Sequence, residues 1–192
     1  MAYLIPENLR SRRDVSPGVA RFAIALRDGL DDDVTVWYEP MFDGLGKRPD
    51  LVLLVPTAGI LMLEVLESRA SAVRGVVDGD LVVMQGDQER HLQSPLARAD
   101  AFAEELRQLM AAEARLSADD RLPVAAGAVL PYLSRQSASA RRLDRALNFD
   151  HCLFRDDVED GAAGGIEFRR RITQLIGSPP RDRLPEESEK VL

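Results

Sequence analysis

Residues 48–66 read RPDLVLLVPTAGILMLEVL, and this stretch decides the fold. Two apolar runs, at 50–55 and 60–66, flank the turn residues Pro-Thr-Ala-Gly, a composition typical of two strands and their connection. The glycine predicts a three-residue loop that ends in a left-handed residue. Because the second run does not alternate with polar residues, the stretch predicts a β-hairpin whose second strand is covered on both faces.

Glu64 is the one charged residue in the second run. An ion taken out of water without a partner is costly, so we expect Glu64 to be protonated, paired with a cation or bound to a metal. A loop of residues 57–59 sets Val52 opposite Glu64 and Asp50 opposite Leu66. Asp50 and Glu64 are then diagonal neighbours on one face, roughly 5 to 8 Å apart, and a hard cation fits between them. A two-residue loop would put them on opposite faces.

A structural alternative needs no metal. Glu64 could pair with Arg69 or Arg98, while Asp50 ends the loop that follows Pro49. Structural ion pairs are common, and one diagonal pair of carboxylates is not a specific signal. The spacing alone leaves both interpretations open.

The segments around the hairpin predict one α/β domain. Ser-Pro pairs at 16–17 and 94–95 each predict a helix start, because serine caps and proline suits the first helical position. Further patterns predict strands at 34–38, 123–130 and 151–154, a second hairpin at 72–77 and 80–84, a helix or loop at 134–147, and a last helix at 165–176. The order predicts an α/β sandwich around a mixed, mainly antiparallel sheet. Residues 1–15 are expected to be an N-terminal extension, 16–177 the domain, and 178–192 a charged, proline-rich tail or linker.

Composition restricts the function classes. The chain has 192 residues, of which 45% are hydrophobic, as in one ordinary globular domain. One cysteine, Cys152, cannot form an internal disulfide, and two histidines add too few ligands for a structural zinc site. No apolar run approaches the roughly 18 residues of a membrane span, and the N-terminus lacks a signal-peptide core, so we expect a cytoplasmic protein without a membrane partner.

The charge balance restricts nucleic-acid binding to a local patch. Lysine and arginine number 25 against 32 aspartates and glutamates, a net charge of −7, so the overall field does not favour DNA. Arg135, Arg141 and Arg142 lie among serines and are the candidates for contacts with a phosphate backbone. A solvated helix face explains the same pattern.

The hairpin and its flanks resemble a known family. The matching segments are 16–18, 36–39, 48–54, 59–66, 94–96, 122–124 and 130–131. Over about residues 16–176 they resemble the NERD (nuclease-related) domain, a branch of the PD-(D/E)XK nuclease superfamily. The resemblance implies a restriction-endonuclease-like α/β/α sandwich, DNA as a partner, and a helicase or other DNA-processing protein beside it. It also implies that Asp50 and Glu64 are catalytic and bind Mg²⁺ together with the main-chain carbonyl of Val65.

Three departures from the family concern its chemistry. Leu66 stands where the family has lysine, Val19 where it has glutamate, and Arg98 where it has glutamine. The loss of one positioned base or electrostatic donor typically costs about 10²- to 10⁴-fold in rate. We therefore expect weak Mg²⁺ binding and a degenerate nuclease domain that serves as a DNA-binding or docking module.

Two other functions are compatible with the same sequence. One is an active Mg²⁺-dependent DNA endonuclease with a rearranged site, in which Lys47 or Glu67 substitutes for a lost group. The other is an oligomerisation domain that makes no contact with nucleic acid.

Overall fold

The structure is a computed structural model, and it describes residues 1–9, 12–42, 48–113 and 121–177. The described strands are β1 (Tyr3–Ile5), β2 (Thr35–Tyr38), β3 (Leu51–Val55), β4 (Gly59–Val65), β5 (Val73–Val77), β6 (Asp80–Gln85), β7 (Gln88–Leu92), β8 (Val124–Leu130) and β9 (Cys152–Phe154). The described helices are α1 (Pro17–Gly29), α2 (Pro95–Ala112), α3 (Arg135–Ala140), α4 (Arg155–Ala162) and α5 (Ile166–Ile176). The chain is a mixed α/β protein, as predicted.

A mixed six-stranded sheet forms the centre, in the order β1-β2-β3-β4-β8-β9. The pairs β2–β3 and β3–β4 are antiparallel, whereas β1–β2, β4–β8 and β8–β9 are parallel. The expectation of a mainly antiparallel sheet is therefore wrong. The reason is that β4 reaches β8 through the crossover helix α2, and such a crossover returns the chain in the same direction.

The first residues of the chain belong to this sheet. Tyr3–Ile5 pairs with Thr35–Trp37 as a parallel edge strand, and Leu4 and Leu9 are buried in the core. The predicted extension over residues 1–15 thus supplies part of the fold. The strand is only three residues long and only Leu4 of it is buried, so its sequence carries little strand signal.

Helices cover both faces of the sheet. α1, α4 and α5 pack on one face around Phe22, Phe168 and Ile172, and α2 packs on the other against Val52, Ile60 and Met62. The predicted starts of α1 and α2 are confirmed, because the Ser16 and Ser94 side chains accept hydrogen bonds from the third residue beyond each cap. α4 was not predicted, since its sequence is polar and buries only Val158 and Gly161.

A small antiparallel sheet, β5-β6-β7, lies apart from the main one. The turn at Asp78-Gly79 joins β5 and β6 as predicted. β7 was not predicted, because its residues Gln88–Leu92 are mostly polar and exposed. The apolar face of this sheet packs, through Leu81 and Val83, onto the side of the main sheet that α2 also covers.

The 134–147 segment combines both of its predicted conformations, since the short helix α3 is followed by a 3₁₀ turn at Leu143–Arg145. Among the described residues, no helix combines the length and the apolar character that crossing a membrane requires.

Candidate functional site

The β3–β4 hairpin places Asp50 and Glu64 side by side. Leu51 pairs with Leu63 and Val55 with Gly59, so the next position along sets Asp50 opposite Glu64. The loop has three residues, as predicted, but it comprises residues 56–58. Gly59 is already the first strand residue, with a φ of 135° that strongly favours glycine.

This register corrects one expectation and confirms another. Val52 is opposite Met62, not Glu64 as expected, so the predicted register is wrong by two residues. A shift of two keeps every side chain on its predicted face, because strand side chains alternate with a period of two. Asp50 and Glu64 therefore share the α2 face, as direct neighbours and not as diagonal ones.

Main-chain hydrogen bonds hold the two carboxylates in a reciprocal arrangement. The Asp50 amide donates to Glu64 Oε1 at 3.1 Å, and the Val65 amide donates to Asp50 Oδ2 at 2.7 Å. Each carboxylate thus binds the backbone of the strand that carries the other. Val65, predicted to offer its carbonyl to a metal, contributes its amide to Asp50.

Arg98 of α2 supplies the cation for this pair. Its Nε donates to Glu64 Oε2 at 2.8 Å; the Glu64 side chain is 5% exposed and the Arg98 side chain 38%. The structure therefore realises the ion-pair alternative, with Arg98 as the partner. The buried Glu64 carboxylate is therefore paired with an arginine that stays partly exposed to solvent.

The electrostatics of the pair follow from this burial. Burial raises the pKa of Glu64 first, and the nearby Asp50 charge raises it further, while Arg98 opposes both effects. Burial likewise raises the pKa of Asp50, against the hydrogen bond from Val65 and the charge of Arg98. Both carboxylates are harder to ionise than in water, so the site holds a proton or a cation more readily than two free charges.

The donor set fits an arginine better than a divalent metal. Both Glu64 oxygens and one Asp50 oxygen already accept hydrogen bonds from protein groups. Within the described ranges, no group of three or more His, Cys, Asp or Glu side chains is placed to hold a metal ion. A hard divalent cation prefers six or more oxygen ligands, so it would have to displace Arg98 from Glu64.

The other two positions at which the sequence departs from the resembling family, Leu66 and Val19, are apolar and buried. Leu66 is 5% exposed and lies in the apolar cluster that includes Leu96 and Leu130. Val19 is 4% exposed and belongs to the core on the opposite side of the sheet. Neither position brings a charge to Asp50 and Glu64.

The Glu67 carboxylate is hydrogen-bonded to the start of α1. It accepts hydrogen bonds from the Ser16 hydroxyl, from the Gly18 amide at 3.2 Å and from the Val19 amide at 3.1 Å. A Cβ on Gly18 would lie 2.6 Å from Glu67 Oε1, so the glycine admits the carboxylate. The contact joins the segment after β4 to the start of α1, where a negative charge is favoured. It was not predicted, because 48 to 51 residues separate the partners.

Glu39 lies on the other side of Asp50. Its amide donates to the Asp50 carbonyl at 3.0 Å, its φ is 43°, and its carboxylate accepts from the Tyr38 hydroxyl at 2.9 Å. The Glu39 charge adds to the rise in the pKa of Asp50. Burial raises the pKa of Tyr38 to about 12, and the hydrogen bond to Glu39 is the second largest cause. An uncommon backbone conformation next to the carboxylate pair marks this end of the sheet as locally constrained.

Two of the three predicted DNA-binding arginines donate hydrogen bonds to main-chain carbonyls within the fold. Arg135 donates to the Phe149 carbonyl at 3.2 Å and lies 4.8 Å from the centre of the Phe154 ring. Arg141 donates to the Val73 carbonyl and to the Ser137 carbonyl, both at 3.1 Å. Arg142, whose side chain is 64% exposed, is the one that faces solvent, beside Asp144 at 4.0 Å. DNA contact by these residues stays a prediction.

Two predicted features fall outside the described residues. Lys47, the candidate substitute for the motif lysine, lies in the segment 43–47, and the predicted tail begins at residue 178.

Comparison of the chain with models of protein families, with curated proteins and with solved structures finds no match in any of the three. The resemblance to the NERD domain is therefore carried by the quoted motifs alone.

Proposed function

We propose that the chain is a NERD-like, nuclease-related domain with a degenerate catalytic set, which acts as a DNA-binding or docking module. The proposal includes a restriction-endonuclease-like arrangement of the sandwich and a helicase or other DNA-processing protein as a partner. The observation that carries it is the Asp50–Glu64 pair at the end of the central hairpin, with Arg98 bound to Glu64 at 2.8 Å.

The placement of this pair supports a relation to nucleases. Two carboxylates meet directly across β3 and β4 in a buried, mixed sheet that has helices on both faces. A purely structural hairpin has no need of a carboxylate at 4% exposure, because replacing a buried ion pair by apolar residues is often neutral or stabilising. The retained pair is what a nuclease-derived site would leave behind.

The same site argues for lost activity. Metal-assisted cleavage of a phosphodiester needs an ion that activates water and stabilises charge on the phosphate. Here a guanidinium holds Glu64, and Leu66 packs in an apolar cluster where the family has its lysine. Each loss acts on the transition state, so we expect no cleavage above background.

A DNA-binding assay paired with a cleavage assay tests the proposal. Purified protein is incubated with labelled single- and double-stranded DNA and Mg²⁺ or Mn²⁺, beside Glu64→Ala. We expect binding that weakens as salt rises and no cleavage. Cleavage that disappears in Glu64→Ala would contradict the proposal and establish the active endonuclease. Absence of both binding and cleavage would contradict the DNA-binding module and favour the oligomerisation domain.

Arg142 provides a matched test of where DNA binds. Arg142→Gln should weaken binding to all sequences and reduce the salt slope by about one, as loss of a phosphate contact does. The control is Arg170→Gln, since Arg170 is similarly exposed but lies on α5 and pairs with Glu167. Equal effects of the two variants would show that Arg142 makes no specific contact.

A further inference from the structure

An apolar pocket opens on the same sheet face as the carboxylate pair. It has a volume of about 250 Å³ and is lined by Trp37, Pro40, Met41, Phe42, Val52 and Ile60. This volume is below the roughly 300 to 1,000 Å³ of pockets for drug-sized ligands, so the pocket suits a single planar ring system.

The strand register places part of the pocket lining near Asp50. Trp37 pairs with Val52, and Val52 follows Asp50 by two residues on the same face. Two residues of strand span roughly 6 to 7 Å. The side of the pocket formed by Trp37 and Val52 is therefore about this far from Asp50, on the face that carries Arg98 and the carboxylates.

The lining and the rim differ in chemistry. Two aromatic side chains, a proline and a thioether line the cavity, and such surfaces stack on flat rings. At the rim, Met41 is 73% exposed and its sulfur lies 2.8 Å from Nη2 of the exposed Arg48. Arg98, with 38% of its side chain exposed, adds a second guanidinium on this face. Guanidinium groups suit phosphate oxygens.

We propose that the pocket accepts the base of an unpaired nucleotide, with Arg48 on the adjoining phosphate. The inference rests on the proposed function and deepens it, because it makes single-stranded DNA the preferred ligand. A base in a duplex is stacked on both sides and cannot enter, whereas an unpaired base has free faces for Trp37 and Phe42.

The chain carries its own probe for this proposal, since Trp37 is its single tryptophan. Deoxyadenosine monophosphate and a single-stranded oligonucleotide are each titrated against the protein, and Trp37 fluorescence is corrected for absorption with free tryptophan. Both should quench Trp37. A blunt duplex, and a strand in which the bases are replaced by abasic sites, should leave the fluorescence unchanged.

Variants separate the pocket from general DNA binding. Phe42→Ala should weaken binding of the single strand about tenfold and leave duplex binding within about twofold, because stacking contributes per unpaired base. Val77→Ala, at an exposed apolar residue on β5, is the control and should change neither. Arg48→Gln should weaken nucleotide binding and preserve quenching at saturation.

Separate readouts distinguish the failure of this proposal from that of the proposed function. Anisotropy of labelled DNA measures binding by any surface, so DNA that binds without quenching Trp37 overturns the pocket and keeps the function. Quenching by the mononucleotide that Phe42→Ala abolishes, without binding of longer DNA, supports the pocket and overturns the DNA-binding module. Absence of quenching with every ligand overturns the pocket.

Discussion

The two faces of the central sheet are built from the same strands and serve different ends. On the α1/α4/α5 face, Leu51, Leu53, Leu61 and Leu63 are fully buried and pack into one large apolar core. On the α2 face, the alternate residues of the same strands are apolar in the middle but continue to Asp50 and Glu64 at the end. Both faces therefore carry apolar cores, but only the α2 face also carries the polar site and the pocket.

The two faces should respond differently to substitution. A residue on the first face has only packing to lose, whereas the Glu64–Arg98 pair combines burial with charge and so responds to pH. Its effect on stability depends on protonation as well as on contacts.

The largest effect is expected on the packed face. Phe22 is fully buried and meets Phe168 edge to face, with 6.3 Å between ring centres. Phe22→Ala should lower the free energy of unfolding by about 3 to 5 kcal/mol, and Phe22→Leu by about 1 kcal/mol. Chemical denaturation measures both. Phe42→Ala, at the pocket, should cost about 1 kcal/mol, because this ring is only partly buried. Equal losses for the two alanine variants would show that the packed face and the pocket do not differ in this way.

The next largest effect is expected for the reactivity of Cys152, which is buried on β9 next to α3. Burial raises the pKa of its thiol to about 12, and the sulfur contacts the Asn148 carbonyl. A thiol reagent should modify the folded chain roughly a thousandfold more slowly than the unfolded one, since the thiolate reacts. Mass spectrometry after timed quenching gives the rates. Rapid labelling under native conditions would show that this end of the sheet opens locally.

Arg98→Ala should destabilise the chain by about 1 to 3 kcal/mol at neutral pH, because it leaves Glu64 buried without its countercharge. Arg98 lowers the pKa of Glu64, so its removal raises that pKa further. A raised carboxyl pKa means that the folded state gains stability as pH falls and loses it as pH rises through that pKa.

The penalty of Arg98→Ala should therefore shrink towards acidic pH, where Glu64 takes up a proton. Denaturation across a pH series checks this, with Arg142→Ala as an exposed control expected within about 0.5 kcal/mol of the parent. A penalty that does not change with pH would contradict the account of Glu64 as a buried ion.

The smallest effect concerns Tyr38. The pKa of its hydroxyl is raised to about 12, first by burial and then by its bond to Glu39. Between about 10 and 12 the unfolded chain loses this proton while the folded chain keeps it, so stability should fall as pH rises through that window. Ultraviolet titration of phenolate should show a late step that is absent in Tyr38→Phe. If Tyr38→Phe instead removes a step near pH 10, the Tyr38 hydroxyl is in solvent.

Local signals predicted much of the fold. The capped helices α1 and α2, the β3–β4 hairpin and the turn at Asp78-Gly79 each carry residues whose geometry restricts the backbone. The anomaly of a carboxylate in an apolar run was also enough to single out Glu64. In each case the information lies within a few residues.

What escaped prediction depends on distant partners. Glu67 caps a helix that lies 48 to 51 residues away in the chain. β1 is a strand only because it pairs with β2, and α4 is helical chiefly because it packs on α1. The choice of Arg98 over Arg69 as the partner of Glu64 likewise follows from the packing of α2 on the sheet face that carries Glu64. No local pattern encodes such contacts.

The central claim is that Arg98 occupies the place of a cation between the helix and the carboxylate pair. Calorimetric titration with Mn²⁺ tests it most directly, on the parent chain, on Arg98→Gln and on Arg98→Gln combined with Asp50→Ala. Arg98→Gln replaces the guanidinium by glutamine, which is the residue that the resembling family has at this position. We expect no tight binding by the parent chain, clear binding by Arg98→Gln, and loss of that binding in the double variant. Tight binding by the parent chain that Asp50→Ala abolishes would contradict it.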